Sequence, residues 1–173
     1  MTPGQVWGAT PAEIAAELPC DALFSGKVTV CDRAITVAAP PDIVFAWLCQ
    51  LRVAPYSYDL LDNFGRPSPR RRDPALTELV VGQRFMGLFD LVDFAPNDHI
   101  TLSSPPRIAV TYAVRENAKS RAGAAGSSRL HVRVLFKGPR LFAIPLVFGD
   151  FLMMRKQLLT LAELAEREAG TTV

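Results

Sequence analysis

Apolar and polar residues alternate along much of the second half of the chain, and this pattern predicts a series of β-strands. The clearest strand is Arg129 to Lys137, in which every second residue is apolar and faces the same side of a sheet. The polar residues between them, including His131 and Arg133, are predicted to point outward. The same pattern predicts three further strands, at Arg84 to Phe94, His99 to Ser103 and Ile108 to Arg115.

The first half of the chain predicts one strand followed by a helix. Ile35 and Val37 lie on one side of a short strand that Pro40 ends, and Lys27 to Cys31 is a weaker extended arm before it. The next segment is predicted to be helical because its apolar residues recur at the spacing of one helix face: Val44, Trp47, Leu48 and Leu51.

Two more helices are predicted towards the ends of the chain. Thr10 to Glu13 has the pattern of a capping box, and Pro19 limits the helix that it opens. Leu141 to Phe148 is interpreted as an apolar connector to the longest helix, expected from about residue 149 to 168. That helix has one apolar stripe, formed by Phe151, Met154, Leu158, Leu161, Ala162 and Ala165. We therefore predict one domain over residues 1–173, with residues 1–32 as an N-terminal helix and arm.

Composition limits the class of protein. The 173 residues are 49% hydrophobic, enough for one domain with a substantial core. A net charge of +2 gives no strong field for nucleic acid, and no apolar run is long enough to cross a bilayer. We expect no nucleic-acid partner and no integral membrane association. Met1 to Gln5 lacks the features of a secretory signal, and the three cysteines form no CxxC pair, which favours a reducing cytoplasm.

The sequence contains none of the short catalytic motifs that announce a known chemistry. It has no nucleophile elbow, no P-loop and no dinucleotide-binding glycine pattern. His99 and His131 are the two histidines, and neither is predicted to be a buried base or to have metal ligands at a suitable spacing. We predict no cofactor and no metal. Cys49 is interpreted as a small buried hydrophobic residue.

Several segments together resemble one known family. Arg33 to Leu51 forms a strand, a Pro-Pro-Asp boundary and a helix with Trp47. The other segments are Trp7 to Thr10, Tyr56 to Asn63, Val80 to Gln83, Ser128 to Arg133 and Asp150 to Arg155. They resemble a bacterial branch of the SRPBCC superfamily, which includes START-type lipid-binding domains, birch-pollen-allergen-like proteins and polyketide cyclase/dehydrase-like proteins.

The resemblance implies an α+β fold of the helix-grip type. In that fold a bent antiparallel β-sheet wraps around a long C-terminal helix, with short helices after the first strand and a cavity between sheet and helix. The chain departs from its relatives at Val53 to Pro55, where they usually have a glycine and an aromatic residue before the Tyr-Ser pair. Because proline stiffens the chain, the mouth of the cavity is expected to differ there.

The expected cavity would bind an apolar or amphipathic small molecule. The candidate ligand-binding residues are Trp47, Tyr56, Tyr58, Asp59, Phe85, Phe89, Tyr112, Phe136, Met154 and Leu158. Periodicity does not separate core from cavity wall, because both point inward. An alternative interpretation places Trp47 and Tyr58 in packing contacts, while Asp59 and Asp62 cap or solvate a short helix that starts at Ser57 and ends at Gly65.

Three functions are compatible with these patterns. The first is a non-enzymatic binder, either a monomer or a homodimer, whose partner is a hydrophobic small molecule. The second is a polyketide cyclase/dehydratase-like enzyme in which Asp59 or Asp62 moves protons inside a closed pocket. The third is a partner-binding module with a filled cavity, which would dock through an exposed apolar patch near Leu141 to Phe148.

Overall fold

The elements of the fold follow from the computed structural model, which describes residues 4–58, 65–117, 126–138 and 140–171. The strands are β1 Val6–Trp7, β2 Val28–Val37, β3 Arg84–Phe85, β4 Phe89–Ala95, β5 His99–Ser104, β6 Ile108–Glu116 and β7 Ser128–Lys137. The helices are α1 Pro11–Ala15, α2 Pro41–Cys49 and α3 Arg140–Thr171, with three-ten turns at Pro19–Ala22, Gln50–Arg52 and Pro74–Thr77. The protein is therefore α+β.

One sheet contains all seven strands, in the order β1-β2-β7-β6-β5-β4-β3. β1 runs parallel to β2, and every other neighbouring pair is antiparallel. The extended arm and the short strand predicted before Pro40 are one strand, because β2 pairs with β7 over its whole length. The predicted strand from Arg84 to Phe94 is instead divided in two, since Met86 and Gly87 have positive φ angles and turn the chain.

The inner face of the sheet packs against α2 and α3 and forms the larger core. Alternate residues of β2, β6 and β7 supply its apolar side chains, as the period of two predicts for a strand with one face towards a core. The predicted stripe of α3 lies in this core from Met154 to Ala165, whereas Phe151 at its start is only half-buried.

Helix α3 is longer than the sequence predicts, because it already begins at Arg140 and includes the supposed connector. Gly149, where the helix was expected to begin, lies inside it, because a glycine inside a helix costs only about 1 kcal/mol relative to alanine. The side chains of residues 141–146 lie outside the described part of the chain. Of the predicted docking patch, Leu141 to Phe148, only the last two side chains can therefore be described. There Val147 is buried and Phe148 is exposed.

The outer face is covered by the N-terminal arm, residues 5–24. Leu18 and Cys20 pack against Ala109, Ala113 and Leu135 on this face. The predicted capping box is confirmed, because Glu13 N–H donates to Thr10 Oγ1 at 3.3 Å and Thr10 N–H donates to Glu13 Oε2 at 2.7 Å. The arm thus packs on its own sheet.

Arg133 fastens this arm to the sheet. Its Nε donates to Asp32 Oδ1 at 2.9 Å, and its Nη1 donates to Asp21 Oδ2 at 2.7 Å. The same guanidinium also donates to the carbonyl oxygens of Ala16 and Ile14 at 2.8 and 2.7 Å. His131 Nε2 lies 2.9 Å from Asp32 Oδ1. The expectation that His131 is not buried is wrong: both it and Arg133 leave the inner face as predicted, but the arm buries them.

Candidate functional site

A cavity of about 410 Å³ lies between the inner face of the sheet and α3. Strands β6 and β7 contribute alternate residues to its floor, and α3 contributes the opposite wall. Two loops close its sides, one at Pro55 and Ser57 and one at Met86 and Leu88. The remaining lining residues are Phe89, Ile108, Val110, Tyr112, Val134, Phe136, Gly149, Asp150, Met153, Met154 and Gln157. Most of this lining is apolar.

The cavity opens where apolar side chains reach the surface. Leu88 and Met153 line it and are both exposed, one from the loop between β3 and β4 and the other from α3. Methionine side chains such as Met153 and Met154 adapt to irregular shapes because they are unbranched and flexible. This rim suits an apolar guest of variable shape.

Tyr112 and Gln157, two polar residues of the lining, are hydrogen-bonded to each other. Tyr112 Oη donates to Gln157 Oε1 at 2.7 Å, and Gln157 Nε2 donates to the Pro55 carbonyl at 2.6 Å. Gln157 therefore joins α3 to both the sheet and the Pro55 loop. Burial raises the pKa of Tyr112 far above its ordinary value, with the Asp150 charge acting in the same direction, so its phenol stays protonated and remains a donor.

The third polar group is a carboxylate that faces a buried arginine. Asp150 lines the cavity, and its Oδ2 lies 2.7 Å from Arg33 Nη2. Arg33 is fully buried on the inner face of β2, whereas the Asp150 side chain is 21% exposed. Burial raises the pKa of Asp150 to about 6, and the nearby Arg33 charge acts in the opposite direction. The cavity therefore contains a carboxyl group that titrates close to neutral pH.

This raised pKa predicts a specific dependence of stability on pH. Between the ordinary pKa of 3.8 and about 6, the native chain holds a proton on Asp150 that the unfolded chain has lost. The free energy of unfolding should therefore fall as pH rises through this window, by up to about 3 kcal/mol for a shift of this size. Asp150→Asn should remove that component, as measured by urea unfolding of both proteins from pH 4 to 7. Parallel curves for the two proteins would contradict the raised pKa.

Four of the predicted ligand-binding residues line the cavity: Phe89, Tyr112, Phe136 and Met154. Phe85 and Leu158 are fully buried in the core but do not line it. The sequence could not show whether these two residues belong to the core or to the cavity wall, because an inward face of a strand or helix contains both kinds of residue.

Of the predicted polar-aromatic segment, Tyr56 to Asn63, Ser57 lines the cavity, but neither Tyr56 nor Tyr58 does. Trp47 and Tyr56 are buried and pack edge to face, with ring centroids 6.1 Å apart, and Trp47 Nε1 donates to Glu168 Oε2 at 2.9 Å. Trp47 is therefore a core residue, the alternative considered above. Tyr58 is 44% exposed and does not line the cavity. Asp59 and Asp62, with the short helix expected there, lie outside the described residues.

Sequence reasoning missed Arg33, Asp150 and Gln157. The signal for Arg33 was its place between Cys31 and Ile35 in the inward phase of β2, where a charge is unusual. Asp150 and Gln157 are four and three positions from Met154 on the same side of α3, within reach of the predicted apolar stripe.

A larger hollow, of about 1330 Å³, lies under the N-terminal arm beside β2. Its buried charged side chains include Asp32 and Arg133, and these already pair with one another. Groups that are committed in this way are not available to orient a ligand. The cavity on the inner face is therefore the better candidate site.

Comparison with protein-family models and with curated proteins gave no match. Among solved structures, the chain is similar to protein NE0264 from Nitrosomonas europaea, with a TM-score of 0.51 and 14% identity over 87% of this chain and 99% of that one. Protein CV1439 from Chromobacterium violaceum gives a TM-score of 0.46 and 14% identity over 79% and 97% of the two chains. The likeness to the Nitrosomonas protein concerns the fold alone.

Two searches of the described residues bear on partners. Among them, no helix combines the length and apolar character needed to cross a membrane. Within the same ranges, no group of three or more His, Cys, Asp or Glu side chains is arranged to hold a metal ion.

Proposed function

We propose that this chain is a helix-grip protein of the SRPBCC type that binds an apolar or amphipathic small molecule between the sheet and α3. The observation that carries the proposal is the cavity of about 410 Å³ with mostly apolar walls and a few buried polar groups. Small-molecule sites typically have volumes of about 300–1,000 Å³ and this kind of lining. A bound molecule would bury apolar surface on both walls, which is the main source of its affinity.

The family assignment is supported by how its segments fit the fold. Gly8 of the Trp7 to Thr10 segment has a φ of +71°, and a side chain there would collide with the Ala34 carbonyl of β2. The long α3 lies on the inner face of a mainly antiparallel sheet, as a helix-grip fold requires. The proposal includes a cytoplasmic location and a monomer or homodimer. The cytoplasmic location is supported by the free buried cysteines, Cys20, Cys31 and Cys49, because a reducing compartment keeps thiols unpaired.

Filling the cavity tests the proposal directly. Val110→Phe adds volume at a residue that lines the cavity and should fill part of it. Binding of the neutral fluorescent probe N-phenylnaphthylamine would show whether the variant has lost the space for a guest. We expect the wild type to bind the probe and the variant to bind it at least about tenfold more weakly, because the larger ring occupies the guest's space. Val80→Phe, at an exposed position, is the control of equal size and should bind as the wild type does. Equal affinities for all three would contradict a binding function of this cavity.

Native mass spectrometry of protein isolated from its natural host complements the probe. A small molecule that co-purifies with the wild type and is lost from Val110→Phe would identify the guest. Protein that carries no molecule under gentle conditions would count against tight ligand carriage.

A second candidate, a cyclase/dehydratase-like enzyme, is favoured by the position of Asp150. This carboxyl group lines the cavity near the Tyr112 hydroxyl, and burial raises its pKa to about 6, close to the value that suits a general acid or base. An enzyme of this type would accumulate its substrate when Asp150 is replaced by Asn. Molecules that co-purify with wild type and Asp150→Asn should then differ by the mass of one water. The same molecule on both proteins would contradict the enzyme and favour the binder.

A further inference from the structure

The carboxylate of Asp150 lines the cavity and accepts no hydrogen bond from the described residues. Its Oδ2 is enclosed and lies 2.7 Å from Arg33 Nη2, but this ion pair lacks the alignment of a hydrogen bond. The side chain as a whole is 21% exposed, so the accessible part of the carboxylate is on the side of Oδ1. Since the two oxygens of an ionised carboxylate have about four acceptor sites, Asp150 offers unused acceptors to the cavity.

The other polar side chains of the lining are paired or do not discriminate between guests. The Tyr112 hydroxyl donates to Gln157 Oε1 at 2.7 Å, and Gln157 Nε2 donates to the Pro55 carbonyl at 2.6 Å. The hydroxyl of Ser57, in the loop that closes one side of the cavity, can donate as well as accept. Asp150 does discriminate, because an ionised carboxylate accepts hydrogen bonds and donates none. The polar end of the cavity therefore selects a guest with a donor group.

The ion pair behind the cavity wall limits the charge of the guest. Arg33 is fully buried, and Asp150 is its one ion-pair partner among the described residues. A guest carboxylate beside Asp150 would meet a like charge at contact distance. A guest ammonium would instead leave two cations against one carboxylate in a site with little water, where unbalanced charge is costly. An uncharged donor keeps the pair of Arg33 and Asp150 balanced.

We propose that the guest is an uncharged amphipathic molecule whose polar end is a hydroxyl group that donates to Asp150, while its apolar body lies between the sheet and α3. This inference rests on the binding function proposed above. The apolar body would contact Val110 and Phe136 on the sheet and Met154 on α3. A hydrogen bond to an ionised group is roughly twice as strong as one between neutral groups, so it offsets the water that the hydroxyl loses on entering.

Two isomers separate the donor group from the apolar body. 1-Decanol and 1-methoxynonane have the same atoms, but only the alcohol has an O–H group, and each would be titrated against N-phenylnaphthylamine bound to the wild type, at a pH where Asp150 is ionised. We expect the alcohol to bind at least about tenfold more tightly, because the carboxylate accepts from its hydroxyl and repels the ether oxygen. Equal affinities, or a preference for the ether, would overturn the donor while leaving the cavity as a binding site. Failure of both isomers to displace the probe would overturn the binding function as well.

Charged probes of the same chain length test whether the guest is uncharged. Decanoate and decylammonium place a negative or a positive charge where 1-decanol has its hydroxyl. We expect both to bind the wild type several-fold more weakly than the alcohol, because each unbalances the pair of Asp150 and Arg33. A charged probe that binds as tightly as 1-decanol would overturn the uncharged guest.

One substitution assigns the preference to Asp150. Burial raises the pKa of Asp150 to about 6, so an uncharged side chain should be tolerated there and Asp150→Asn should fold. Its amide oxygen should turn towards the Arg33 guanidinium, which only donates, so that the amide N–H groups face the cavity. The alcohol and the ether can both accept from these groups, and their affinities should therefore come within about twofold of each other.

A matched control removes the same charge elsewhere. Asp42 is exposed and does not line the cavity, so Asp42→Asn should keep the preference for the alcohol over the ether. A preference that survives in Asp150→Asn would overturn the role of Asp150, and one that is lost in both variants would overturn it too. The comparison of the two isomers on the wild type decides the donor preference without any variant.

Discussion

Replacing Arg133 by methionine is expected to lower the free energy of unfolding by about 3–5 kcal/mol, the usual cost of breaking a buried ion pair from one side. The substitution removes the cation from the buried Asp32 and from Asp21. It also leaves the carbonyls of Ala16 and Ile14 without the donor that joins the N-terminal arm to β7. Urea unfolding followed by tryptophan fluorescence would measure the change.

A matched control lies on the surface. Arg70 pairs with Glu163 at 3.9 Å, and both side chains are well exposed, so Arg70→Met should change the free energy of unfolding by less than about 0.5 kcal/mol. Limited proteolysis provides a second measurement, since a released arm should be cleaved before the sheet is. If Arg133→Met costs no more than Arg70→Met and the arm stays resistant, Arg133 does not fasten it.

Alternation was enough to predict most of the sheet. β5, β6 and β7 each have an apolar face in the core that they share with α2 and α3, and period two identifies such strands because every second side chain must leave water. The stripe from Met154 to Ala165 identified the helix that covers them for the same reason. The burial of one face of a strand or helix can therefore be predicted from the residues of that element alone.

The burial of the outer face of the sheet, in contrast, depends on a segment that is distant in the sequence. His131 and Arg133 are polar and alternate away from the core, which normally indicates exposure to solvent. They are buried because residues more than a hundred positions earlier, such as Leu18 and Asp21, lie across that face. A pattern within one strand contains no information about which distant segment covers it, so the buried cluster could not be predicted.

Only the apolar wall of the candidate site could be predicted from the sequence. Phe89 and Phe136 were expected to point inward, and they line the cavity. Among the polar groups, Tyr112 was predicted but Asp150 and Gln157 were not, because the densest group of polar and aromatic residues in the sequence lies elsewhere, at Tyr56 to Asn63. Arg33 and Asp150 come from distant parts of the sequence and meet only when α3 folds against β2.

Leu158→Ala is expected to lower the free energy of unfolding by about 2–5 kcal/mol, because the side chain is fully buried where α3 meets the sheet and its removal leaves a void. The neighbouring Leu159 is 42% exposed, so Leu159→Ala makes the same chemical change with little loss of packing and should cost less than about 1 kcal/mol. Urea unfolding of the two variants under the same conditions would measure the difference.

The same pair of variants separates core from cavity wall. Leu158 was a candidate ligand-binding residue, but it does not line the cavity, so Leu158→Ala should keep the affinity for N-phenylnaphthylamine within about twofold of the wild type while the protein remains folded. Core packing then contributes to stability, and the lining residues alone determine binding. A folded Leu158→Ala protein with tenfold weaker binding would instead place Leu158 in the binding site, and equal stability of the two variants would contradict its role in the core.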